Sequence, residues 1–423
     1  MASFSFGSGN AAKLLRIPLY AVGRLGTFLV PRGRRWVFGC GAGIGDGALA
    51  LYHYASSLGH ETLWLTGSAR EEREATALGI RFVRKNGLRG WWATAGAGVL
   101  VVTHGLGDVN RYAVGGAFVV QLWHGIPLKR IGLDSPATTQ VPKVPGAPLL
   151  RRVIALLYRA TAQRIRVLPA ASTRARGRLE SAFGLGDDRV VVTGEPRVDV
   201  LSAGSGEERR NAASALLHRV VGEIPEGART ILYAPTWRDG APDPAVPSAA
   251  EWVSILRLLE EQDAVLLVRS HPLGAGGYAP PLPSRRVRAL GASVLADVTP
   301  ALAAVDVLVT DYSSLAYDVG LLRTPVLFLA PDAAAYARTR GFYGRFEEVA
   351  GSATAEDWPS LLTQLEHLLS DADSYDAASA RSATLSATMH AHRDGRNTER
   401  VYRVIRARGS PRRREQYDNG PHR

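Results

Sequence analysis

A chain of 423 residues, 46% hydrophobic and 21% charged, can fill two ordinary cores, which excludes a disordered tail and a bundle of membrane helices. Its single cysteine, Cys40, excludes an internal disulfide framework and fits a reducing, cytoplasmic compartment. The formal net charge of +12 is unevenly placed, and its placement is more informative than its size.

The first 45 residues carry six basic side chains, Lys13, Arg16, Arg24, Arg32, Arg34 and Arg35, and no acidic one. The apolar part, 14–30, is broken by Pro18 and Arg24 and lacks a small-residue cleavage site. Residues 1–35 are therefore expected to lie on a membrane surface, neither as a signal peptide nor as a spanning helix. Further on, short β-rich apolar runs predict strands at 99–103, 118–123, 190–193, 230–234, 265–269, 305–310 and 326–330, with a strand-like 36–38. Helical patterns fall at 206–221, 249–261, 313–322 and 358–369. A basic stretch at 135–179, with nine Lys or Arg and no acid, predicts an amphipathic helix at about 149–166. There Arg152, Arg159 and Arg166 follow a seven-residue step, and such a helix suits an anionic leaflet. Alternating strands and helices predict an α/β protein with parallel sheets, divided into 36–193 and 194–408, before a disordered tail at 409–423.

Four polar clusters stand just past predicted strands, where the ligand crevice of an open α/β sheet lies. The first is Gln121-Leu122-Trp123-His124-Gly125-Ile126-Pro127. An imidazole there, titrating at about 6.5 when unperturbed, can take a proton from an alcohol, and the glycine beside it admits close approach by a ligand. The second, Val268-Arg269-Ser270-His271-Pro272, offers a guanidinium and an imidazole to a phosphate whose charge changes in reaction. In the third, Thr310-Asp311-Tyr312-Ser313-Ser314, serines open a helix whose N-terminus suits a diphosphate. The fourth is Tyr233-Ala234-Pro235-Thr236-Trp237-Arg238, while Gly194-Glu195-Pro196-Arg197 sits at the expected hinge. A surface Arg–His pair or simple helix capping would account for single clusters. Four of them over two α/β halves fit one cleft.

No nucleoside-triphosphate loop is present, and the glycines at 39–45 miss the dinucleotide-binding spacing. Metal-binding patterns are also absent, so no metal or cofactor is expected. The basic stretches lack interleaved aromatics and any recognition motif, which argues against a nucleic-acid partner.

Taken in order, Trp123-His124-Gly125-Ile126-Pro127-Leu128-Lys129, Leu232-Tyr233-Ala234-Pro235-Thr236-Trp237-Arg238, Arg269-Ser270-His271-Pro272 and Thr310-Asp311-Tyr312-Ser313-Ser314 resemble the CDP-glycerol glycerophosphotransferase family. Gly341-Phe342-Tyr343 and Asp394-Gly395 followed by an amphipathic helix match its pattern too, and the likeness covers roughly 39–405. The resemblance implies a GT-B-like pair of Rossmann-like, doubly wound domains facing a cleft, attached peripherally to the cytoplasmic face of the cell membrane. It implies transfer of a polyol phosphate from CDP-glycerol or CDP-ribitol to a lipid-linked or polyol-phosphate acceptor, releasing CMP, in the synthesis of a teichoic-acid-like polymer. On this basis His124 and His271 are the expected catalytic residues. Trp123, Gly125, Ile126, Pro127, Arg197, Pro235, Thr236, Arg269, Ser270, Ser313, Ser314 and Asp318 are expected to hold the donor. Ile126 stands where the family commonly has threonine, and Arg345 follows the Gly-Phe-Tyr motif where an acidic or neutral residue is usual. A nucleotide-sugar glycosyltransferase or epimerase, and a non-catalytic membrane-surface protein, are the alternative readings.

Overall fold

Uninterrupted runs of Val, Leu and Ile become strands buried on both faces, the usual condition of a parallel sheet covered by helices. The computed structural model describes residues 20, 23, 25–27, 29–139, 141, 146–238, 242–270 and 277–409. His271, most of the basic 1–35 segment and the tail from 410 lie outside them. Among the described residues the first sheet contains β1 (Trp36–Gly39), β2 (Thr62–Thr66), β3 (Phe82–Arg84), β4 (Val99–Val102), β5 (Phe118–Gln121), β6 (Ile165–Ala170) and β7 (Val190–Val192). Their spatial order is β3-β2-β1-β4-β5-β6-β7, all parallel. The second sheet contains β8 (Arg229–Ala234), β9 (Ala264–Val268), β10 (Val287–Ala289), β11 (Val307–Thr310) and β12 (Val326–Phe328), in the order β10-β9-β8-β11-β12 and again parallel. Strand order reverses between β1 and β4 and between β8 and β11. Such reversals open a crevice at the carboxyl ends of the strands.

The covering helices begin where their sequences cap them. Ser205 and Ser248 each accept a backbone N–H three residues on, while Glu208 and Glu251 reach back, so that reciprocal capping starts helices Gly206–Val221 and Ala249–Glu261. The two halves share an apolar cluster in which Ile126 and Leu128 of the first meet Tyr312, Tyr317 and Phe342 of the second. Arg178 bolts the same junction by donating to the carbonyls of Pro127 (2.6 Å) and Tyr343 (3.0 Å).

Two expectations need correction. The basic helix is Ala147–Ala162, not about 149–166, because 165–170 is β6: Ile165 and Val167 are buried and Arg166 is exposed, the period of two that a strand imposes. The last helix, Asn397–Gly409, belongs with the first sheet and not with 194–408. Its Val401 and Ile405 pack with Trp36, Phe38 and Leu51, and its first turn is held by the Asp199 carboxylate, which accepts from the Asn397 and Thr398 backbone N–H groups. Among the described residues no helix is long and apolar enough to cross a membrane.

Candidate active site

His124 lies just past β5. Trp123 before it holds φ 65°, a conformation costly for a bulky side chain, and Gly125 after it holds φ 147°, so the chain turns sharply at the imidazole. The ring is sandwiched: His104, just past the neighbouring β4, stacks on it with centroids 4.2 Å apart and planes 5° apart, and Trp123 lies 4.2 Å away at 37°. Nδ1 of His124 is buried and has no well-aligned hydrogen-bond partner among the described residues. Burial pushes the His124 pKa down to about 4. A backbone contact with Thr103 opposes this, and the Arg197 and Lys129 cations add to it. At neutral pH the imidazole is uncharged and free to accept a proton.

His104 is itself tied down. Its Nδ1 accepts the Gly41 N–H (3.2 Å), which leaves its proton on Nε2, and its backbone N–H donates to Asp108 (2.7 Å). Burial, with His124 alongside, pushes its pKa down to about 2.

Across the cleft, β8 and β11 end side by side. The buried Asp311 carboxylate accepts from the backbone N–H of Thr236 (2.8 Å) and Tyr312 (2.6 Å) and from the Arg238 guanidinium (2.8 Å). Arg238 also pairs with Asp332 and lies over the rings of Tyr312 and Tyr336, so the loop carrying Pro235 and Thr236 is fixed against the one carrying Ser313 and Ser314. Ser313 Oγ accepts the Leu315 N–H (3.3 Å), whereas Ser314 makes no capping bond and faces the first domain. At Gly125 a Cβ would stand 2.7 Å from Ser314 Oγ, so the two domains touch at this point.

Beneath that contact is a buried ion network. Arg197 donates to both oxygens of Asp318 (2.7 and 2.9 Å) and to Glu195 (2.9 Å), and His390 lies 3.4 Å from Asp318. Burial works against the Arg197 cation, yet Asp318 and Glu195 outweigh it and hold its pKa well above the ordinary value. Burial likewise works against the Asp318 anion, but Arg197 holds that carboxyl below its usual range. Asp46, at φ 59° in the turn after β1, donates its backbone N–H to Asp297 of the second domain (2.8 Å). Burial, with the Asp297 carboxylate adding and Arg197 opposing, pushes the Asp46 pKa up to about 7.

The fold thus gathers Trp123, His124, Gly125, Arg197, Ser313, Ser314 and Asp318 at one junction, with Pro235 and Thr236 on the adjoining loop. Several expected donor contacts take a different part. The Ile126 side chain is core, only 1% exposed among Tyr312 and Tyr317, so it cannot line a ligand pocket; apolar volume at the domain junction is its reason for being there. Arg197 and Asp318 neutralise each other below the cleft floor. Pro127 offers its carbonyl to Arg178, and Arg269, at the end of β9, spends its guanidinium on the carbonyls of Leu290, Leu295 and Ala296, leaving Ser270 beside it half-buried. His104, Asp46, Asp297 and His390 were not anticipated. For His104 a signal existed: Val102-Thr103-His104-Gly105 repeats the apolar-strand, His-Gly form of the segment around His124.

Residues 37–407 match the family described as CDP-Glycerol:Poly(glycerophosphate) glycerophosphotransferase. Among similar proteins, the teichoic acid glycerol-phosphate transferase of Staphylococcus aureus (strain NCTC 8325 / PS 47) is 29% identical over 264 residues, 60% of this chain and 63% of that protein. A teichoic acid poly(glycerol phosphate) polymerase of Staphylococcus epidermidis (strain ATCC 35984 / DSM 28319 / BCRC 17069 / CCUG 31568 / BM 3577 / RP62A) is 31% identical over 261 residues, 59% of this chain and 33% of that protein. The matches thus span less than two thirds of either relative's length. Among solved structures, the wall teichoic acid polymerase TagF superposes with a TM-score of 0.71 at 22% identity, covering 93% of this chain and 94% of that one, which shows the same fold. With the family matched over nearly the whole described chain, this protein is a member of the CDP-glycerol:poly(glycerophosphate) glycerophosphotransferase family.

Proposed function

We propose that this protein transfers a polyol phosphate, glycerol phosphate in the first instance, from a CDP-polyol to an acceptor hydroxyl of a cell-envelope polymer, releasing CMP. The observation that carries this reading is the placement of His124, uncharged at neutral pH, in the turn whose next residue, Gly125, closes on Ser314 of the opposite domain. A base and a phosphate-holding turn are what an alcohol attacking a diphosphate requires. The acceptor oxygen attacks the phosphorus that bears the polyol; a new P–O bond forms and the bond to the bridging oxygen breaks, so CMP departs with that oxygen. The alcohol proton passes to His124. With Nδ1 buried, Nε2 is the nitrogen that meets the acceptor.

On the donor side, Ser313, Ser314 and Thr236 would hold the diphosphate, with Ser270 at the end of β9 and His271 directly after it aiding the leaving group. The frame is of the GT-B kind, with acceptor bound by the first sheet and nucleotide by the second. Attachment to the cytoplasmic face of the membrane belongs to the same reading. Helix Ala147–Ala162 exposes Leu149 (68%) and Leu156 (62%) together with Val153 and Leu157, beside Arg151, Arg152 and Arg159. An apolar stripe flanked by arginines is suited to an anionic lipid surface.

CMP release from CDP-glycerol, CDP-ribitol and a UDP-sugar, each with a lipid-linked acceptor, tests the proposal. Release from a CDP-polyol, lost by about 10²–10⁴-fold in His124→Ala while donor binding survives, is the expected outcome. Near-wild-type transfer by that variant, or turnover of the UDP-sugar alone, would sink it.

A further inference from the structure

A histidine base is ordinarily oriented by a hydrogen bond from its second nitrogen to a carboxylate or carbonyl. His124 lacks a well-aligned one among the described residues, and its Nδ1 is buried. Beyond a poorly aligned contact with the Thr103 backbone, what holds the ring is contact with its faces, His104 parallel at 4.2 Å and Trp123 tilted at 4.2 Å. We infer that His104 is the positioning residue of the base: its ring face fixes the plane of His124 and stabilises the imidazolium formed during transfer, in the place that an orienting acid would otherwise take.

Three observations support this. His104 has its own position set independently of His124, through Gly41 N–H on Nδ1, Thr103 Oγ1 at 2.7 Å from the same nitrogen, and Asp108 on its backbone N–H. The parallel register of β4 on β5, Val102 opposite Gln121, brings two His-Gly turns level, so the stack is built into the sheet. Because Nδ1 of His104 is already an acceptor, a proton arriving at the pair has one residence, His124. A cation over an aromatic face is stabilised, most strongly where water is kept out. The charged groups acting on His124 are Arg197 from the interdomain segment and Lys129 from its own loop; beside His104 stands Asp108, which accepts its backbone N–H. No carboxylate among these is a hydrogen-bond partner of His124.

The inference rests on the transfer proposed above, and its test separates the two. Wild-type CMP release and its loss in His124→Ala must first be seen; their absence defeats the transfer reading, whatever His104 does. His104→Phe keeps a ring face without titratable nitrogens, whereas His104→Asn keeps a polar partner for Gly41 without a face. Expected is a kcat within about tenfold of wild type for the Phe variant and a fall of about 10²-fold for the Asn variant, with KM for the donor unchanged in both. The kcat–pH profile adds a readout that a merely structural role would not move. Water admitted beside His124 in the Asn variant raises its acid limb towards about pH 6.5, while wild type and the Phe variant stay active well below that. Equal loss in both variants, an active Asn variant with an inactive Phe variant, or an unmoved acid limb would overturn the assignment.

Discussion

At Asp46 the backbone is held at a positive φ and donates its N–H to the Asp297 carboxylate, brought in from 251 residues away, whose charge also raises the Asp46 pKa. Its folded pKa of about 7 stands well above the value of about 3.9 expected when unfolded, so the native state binds the proton more tightly. Stability is therefore lost as pH rises through about 4 to about 7, and the loss is complete above the folded pKa. Asp46→Asn cannot ionise, tolerates the same backbone conformation, and keeps the backbone donor to Asp297. Thermal unfolding should show the variant matching wild type near pH 4 and exceeding it at pH 8 by about 1 kcal/mol or more. A pH-independent offset would mean that the two carboxyls do not share the strain described.

Elements differed in how plainly their residues announced them. Strands β4, β5, β8, β9 and β11 were legible because each is a continuous apolar run ended by a polar cluster, and the same endings exposed His124, Ser313 and Ser314. Strand β6 was hidden by an arginine repeat that runs on from the preceding helix, and β3 and β10 are three-residue edge strands, partly exposed, with no run to read. The His104 stack and the Asp46–Asp297 pair come from strand adjacency and domain contact, which no local pattern encodes. Helix Ala147–Ala162 was legible in its charge but not in its end. Its apolar stripe carries an element-scale prediction: Leu156→Glu with Leu157→Glu, both exposed, should leave circular dichroism and CMP release with a soluble acceptor unchanged while cutting retention on vesicles containing anionic lipid by tenfold or more. Equal retention would assign the stripe to something other than lipid.

For the whole molecule, the two sheets work only when their switch-point loops meet, and Gly125 sets how closely they can. Its φ of 147° is unfavourable for any side chain, and a Cβ would sit 2.7 Å from Ser314 Oγ but 3.7 Å from Ser314 Cβ. Gly125→Ala therefore pushes the His124 turn away from the serine turn without touching either core. Displacement of reacting groups by about 1 Å costs on the order of 10²-fold, so transfer should fall by that much while the strained φ lowers the unfolding midpoint only by the few degrees that about 1–3 kcal/mol implies, and the isolated donor still binds. Ser314→Ala alone removes a donor-side hydroxyl and should lower transfer by its own factor. Combined with Gly125→Ala it also removes the clashing atom, so the double variant should be more active than the product of the two single losses predicts. Multiplicative losses would show that the domains do not close through this contact, and that the base meets the diphosphate by another approach.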